Sequence, residues 1–185
     1  MIPDIISDAE QRMAKAVDYA KDEFATIRTG RAHPAMFSKL TADYYGAPTP
    51  IQQLASFQAP EARMILITPY DKGSMPAIIK SIRDSDLGVN PTDDGNVIRV
   101  TFPELTEDRR KEYIRLARTK AEEARVSVRS VRRSAKDDID QLVKDSEVGE
   151  DEAVRAEKQL DTVTKKHTDQ VDELLKRKES ELLEV

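Results

Sequence analysis

A chain of 185 residues with 35% charged side chains, 5% aromatics and no tryptophan has room for one or two compact domains and favours long helices over a thick β core. The formal charge is −5, and the absence of cysteine excludes a disulfide framework, a thiolate nucleophile and a cysteine metal site. There is neither a basic start followed by an apolar stretch nor a run of eighteen apolar residues, so the chain reads as a soluble, unexported, cytoplasmic protein without a membrane partner.

Helical periodicity appears first over Ile2, Ile6, Ala9, Met13, Ala16, Ala20, Phe24 and Ile27, with Pro3 tolerated in the first turn. Residues 31–104 read differently. They hold eight of the nine prolines, and four β-type runs: Lys39 to Tyr45, Gln52 to Gln58, Arg63 to Thr68 and Val97 to Phe102. Gly46 with Pro48 and Pro50, Ala59 with Pro60, and Asp94 with Gly95 read as the turns between them. Ser74 is the expected cap of a helix reaching Asp86, with Gly88 beyond its end.

A second long helix is expected from Thr106, its N-cap, to about Ser146, and a third after Gly149, with Ala153, Ala156, Leu160, Val163, His167, Val171, Leu174 and Leu182 on one face. At 1.5 Å per residue the second would be about 60 Å long. Three amphipathic helices sharing a seam make an elongated antiparallel bundle from residues 1–30 and 105–185, and residues 31–104 become an inserted β/α/β domain. The fold class is therefore α+β. Two crossings join the parts, at 29–34 and 103–106, and Thr29, Gly30, Arg31, Ala32, Pro103, Glu104, Leu105 and Thr106 are the expected hinge.

The second helix carries two stripes in one rhythm. Tyr113, Ala117, Ala121, Ala124, Val128, Val131, Ala135, Ile139 and Leu142 form the apolar one, and Lys111, Arg115, Arg118, Arg125, Arg129, Arg132 and Lys136 flank it. From Thr106 to Lys136 there are eleven basic residues against five acidic ones; from Asp137 to the end, eight against sixteen. Cationic charge is thus segregated on one helix of an acidic chain, which points to a polyanionic partner. Arginine predominates in the row, and its planar fork suits phosphate. Some members are expected to pair with the acidic third helix, and Glu122 interrupts the row.

The catalytic motifs are missing. No phosphate loop, dinucleotide turn or nucleophile elbow occurs. His33 and His167 are remote from each other and read as structural, so no metal and no cofactor is assigned. Asp93 and Asp94 before Gly95 read as a hairpin turn before they read as a catalytic pair. On the residues alone three classes stay open: a nucleic-acid-binding module, a helical scaffold or chaperone-like protein, and an RNA-directed enzyme.

Seven segments in order then resemble the ribosome recycling factor family: FATIRTGRAHP from Phe24, YYGAPTP from Tyr44, QLA from Gln53, SDLGVNP from Ser85, DGNVIR from Asp94, LTEDRR from Leu105 and VRSVRR from Val128. The resemblance implies an L-shaped, tRNA-like molecule that is not an enzyme. It implies binding to the post-termination ribosome and, with the GTPase elongation factor G, separation of the subunits, with initiation factor 3 as successor. It also implies that the bundle contacts large-subunit ribosomal RNA of the 23S type, through Arg129, Arg132 and Arg133 and the Arg28 and Arg31 pair. Arg118, Arg125 and Lys136 of the row complete the expected contact set. The small domain is the implied contact for the elongation factor, and the protein is expected to be a monomer.

Overall fold

The structure is a computed structural model and describes residues 1–184. The helices are α1 (Ile2–Ala25), α2 (Ile51–Leu54, a single turn), α3 (Met75–Arg83), α4 (Glu107–Lys144) and α5 (Glu150–Leu183). The strands are β1 (Thr41–Tyr44), β2 (Ala47–Pro50), β3 (Ala55–Glu61), β4 (Met64–Pro69), β5 (Pro91–Asp93) and β6 (Ile98–Thr101). Two compact units result. One comprises Met1–Phe24 and Arg115–Glu179; the other comprises Ala25–Ile114 and the last residues from Ser180. The divisions fall inside the long helices, so the end of α1, the first two turns of α4 and the last turn of α5 belong with the sheets.

The helical unit is built on the apolar stripes. Ile2, Ile6, Ala9 and Met13 of α1 meet Val128, Val131, Ala135 and Ile139 of α4 and Ala156 and Leu160 of α5 in one buried seam. Thr106 caps α4 as expected, its Oγ1 accepting the N–H of Arg109 at 3.1 Å. The helix ends in a Schellman motif: Glu147 donates to the Leu142 carbonyl at 2.9 Å, Ser146 donates to that of Val143 at 3.0 Å, and Ser146 takes the left-handed φ of 60°. This turn reverses the chain, so α5 runs back along α4.

The second unit holds a four-stranded antiparallel sheet in the order β3-β4-β6-β5 and a separate β1–β2 hairpin. Alternate residues Ile65 and Ile67 of β4 and Ile98 and Val100 of β6 point into a core with Phe37, Ile51, Ile78, Ile82 and Phe102. Phe37 packs on Phe57 and Phe102, with ring centroids 5.4 and 6.1 Å away.

Several local expectations change. Gln52 to Gln58 is not one strand: Ile51–Leu54 coils as a helical turn after Pro50, and β3 starts only at Ala55. β3 then continues through Ala59 and Pro60 to Glu61, with a register shift between Gln58 and Glu61. Pro48 and Pro50 lie within β2, paired with Asp43 and Thr41, instead of ending a strand. Ser74 holds the N-cap position of α3 as expected but makes no side-chain capping bond: its Oγ donates to the Asp71 carbonyl at 2.6 Å, while the Asp71 side chain accepts from Gly73. The helix there ends at Arg83, short of Asp86.

Candidate nucleic-acid interface

The basic row owes its position to the seam. Ala117, Ala121, Ala124, Val128, Val131, Ala135 and Ile139 are buried, and Arg118, Arg125, Arg129, Arg132 and Lys136 each follow one of them by about 100° around α4. The row is therefore fixed along the flank of a packed face. It is not bare. Arg118 donates from Nε to Glu179 at 2.8 Å, Arg125 from Nε to Asp172 at 2.7 Å, and Arg132 from Nε to Asp161 at 2.7 Å. These pairs form three rungs between antiparallel α4 and α5.

The rungs differ in how much of each fork remains open. Arg125 also donates from Nη1 to Glu122 at 3.0 Å, and its side chain is only 20% exposed. Burial lowers its pKa, but the hydrogen bonds to Asp172 and Glu122 outweigh that and leave it raised. Arg129 meets Glu122 at a looser 3.4 Å and stays half exposed. Lys136 pairs with Asp140 one turn along, which raises its pKa. Arg133 is exposed and has no acidic partner among the described residues.

The Arg28 and Arg31 pair divides. Arg31 is exposed, its carbonyl held by the Thr29 hydroxyl at 3.0 Å. Arg28 is 8% exposed; its guanidinium lies over the Phe102 ring and donates to the Pro103 carbonyl, and burial lowers its pKa. It cannot face a phosphate in this arrangement. It ties the first crossing to the second instead. The Ala62–Arg63 turn holds both: Ala32 donates to the Ala62 carbonyl at 2.6 Å, and Phe102 to that of Arg63 at 2.7 Å.

Other chemistry-bearing residues have local partners. His33 Nδ1 accepts from Ala35 N–H at 3.1 Å and opens a 3₁₀ turn, and His167 is buried with Nδ1 2.8 Å from the Val163 carbonyl. Asp94 accepts from the Asn96 and Val97 N–H groups, and Asp93 from that of Gly95, so both carboxylates shape the hairpin. No group of three His, Asp or Glu able to hold a metal occurs among the described residues. No helix among them is long and apolar enough to cross a membrane. What sequence reasoning missed was the identity of the rungs' acids. Glu179, Asp172 and Asp161 number downward as Arg118, Arg125 and Arg132 number upward, the signature of antiparallel pairing.

Residues 20–183 match the family model described as ribosome recycling factor. Over all 185 residues, and the whole of each relative, the chain is 66% identical to the ribosome-recycling factor of Streptomyces coelicolor and 64% identical to that of Kineococcus radiotolerans. It is similar to a solution structure of the ribosome recycling factor, with a TM-score of 0.80 and 45% identity over all of this chain and 98% of that one. A second likeness, with a TM-score of 0.71 and 38% identity over the whole of both chains, is to a model set of the Thermus thermophilus factor and Escherichia coli elongation factor G on the E. coli post-termination complex.

Proposed function

The chain belongs to the ribosome recycling factor family, and from that premise we propose how its parts divide the work. It is a translation factor and not an enzyme: it acts on the post-termination ribosome together with elongation factor G. In our reading it works in the cytoplasm as a monomer and docks on 23S-type RNA of the large subunit through the outer flank of α4. The observation that carries the docking assignment is the exposed pair Arg129 and Arg133, one turn apart on a helix held in place by the seam beneath. Arg31 and the open edges of Arg118, Arg132 and Lys136 join them, while Arg28 and Arg125 act as struts.

The sheet-bearing part receives the push from the GTPase, the crossings at 29–34 and 103–106 flex, and the subunits separate for initiation factor 3 to keep apart. Binding energy holds one end while the partner moves the other. The test is light scattering of post-termination ribosomes mixed with this protein, elongation factor G and GTP, each omitted in turn. A fall only in the complete mixture supports recycling; no fall despite salt-sensitive ribosome binding reopens the scaffold reading.

A further inference from the structure

We infer that Asp161 is a charge brake on Arg132, weakening its hold on RNA phosphate so that the docked state dissociates readily; this rests on the docking reading above. Arg132 presents Nε and Nη2 to one oxygen of Asp161, at 2.7 and 2.6 Å, which occupies one edge of the fork and leaves the other open. The arginine is 32% exposed and the aspartate 55%, and exposed pairs of this kind add little to folding. Stability therefore does not account for the contact. The neighbouring residues differ: Arg125 is closed by two acids, and Arg133 has none among the described residues.

A phosphate on the open edge of Arg132 has a carboxylate facing it across one guanidinium. That separation is within a Debye length of about 8 Å, so repulsion between the two anions survives physiological salt. The arginine still steers and orients the RNA, but the complex it makes is weaker than a free arginine would give. Asp161 is thus a positioning residue that tunes residence time.

Asp161→Asn keeps the shape and one acceptor oxygen for Arg132 while removing the charge. Affinity for vacant large subunits should rise about three- to tenfold, nearly all of it as slower dissociation. Multiple-turnover recycling should slow while a single round of splitting does not, and Asp161→Glu should restore the original dissociation rate. Asp8→Asn, which removes the same charge from α1 where Asp8 sits 3.9 Å from Arg12, should leave dissociation within about twofold. An unchanged or faster dissociation of Asp161→Asn, or equal slowing by Asp8→Asn, overturns the brake. If the unmodified protein binds large subunits without salt dependence, the docking reading fails and the brake falls with it.

Discussion

Arg28 sits with its guanidinium carbon 5.4 Å from the centre of the Phe102 ring and donates to the carbonyl of Pro103, the residue that begins the second crossing. A cation buried in this way is held by the ring face and the carbonyl. Arg28→Ala should cost about 2–4 kcal/mol by removing both and stranding the carbonyl. Arg28→Lys should recover only part, because a point charge does not reproduce the planar fork. Denaturant midpoints of the three proteins test this; equal midpoints would remove Arg28 as a brace.

A disulfide engineered across the crossings at 29–34 and 103–106 should preserve ribosome binding and abolish subunit splitting. Light scattering reads the second and pelleting the first. Full splitting in the oxidised protein argues against a moving arm.

The row should separate into contacts and struts. Arg133→Ala is expected to weaken binding to large subunits about tenfold, to flatten the log-log salt slope by about 1 and to leave the melting temperature in place. Arg125→Ala should instead destabilise the fold by about 0.5–2 kcal/mol, since it takes the cation from Asp172 and leaves Glu122 with only the looser Arg129. Binding isotherms at several salt concentrations, paired with melting curves, tell the two apart.

Leu160 is fully buried where α5 meets α1 and α4. Leu160→Ala should destabilise the protein by about 2–5 kcal/mol through lost burial and the cavity left behind. Urea unfolding measures it, and a loss below about 1 kcal/mol would mean the seam collapses around the gap.

Asp94 has a carboxyl held below its ordinary range by the N–H groups of Asn96 first and Val97 second. A depressed folded pKa gives stability that is present above the unfolded pKa and lost as pH falls through the folded one. Asp94→Asn should therefore be less stable than the parent near neutrality, and the difference should vanish in strong acid. Melting curves across that range, with an NMR titration of the carboxyl, check the sign; a gap that persists at the lowest pH would contradict it.

The long helices were legible because apolar residues recur at steps of three and four, and Thr106 announces its own helix start by side-chain chemistry. The basic row was legible as charge, but its availability was not. Availability depends on which acids of α5 reach across, and that follows from the register set by the Ser146 turn. The hairpin failed for a definable reason. Tyr44 and Ala47 flank a two-residue turn, Tyr45 and Gly46, both with positive φ, so they form the hydrogen-bonded pair and Pro48 falls at the next, non-bonded position. A proline there loses no ladder bond, and composition alone counts it as a breaker. Arg28 was misleading in the opposite sense, since a cation beside a predicted bend looks exposed until the ring of Phe102 is brought over it.

The same prolines have a consequence for how the molecule behaves in a crowd. Pro48 and Pro50 occupy alternate sites of β2, so the edge turned away from β1 lacks amide hydrogens at the two places where an incoming strand would seek donors. A short ribbon is normally an invitation to pair with a copy of itself. Here the outer rim keeps its carbonyls but offers no donor at those two positions, which disfavours strand-to-strand polymerisation at that rim without a covering element.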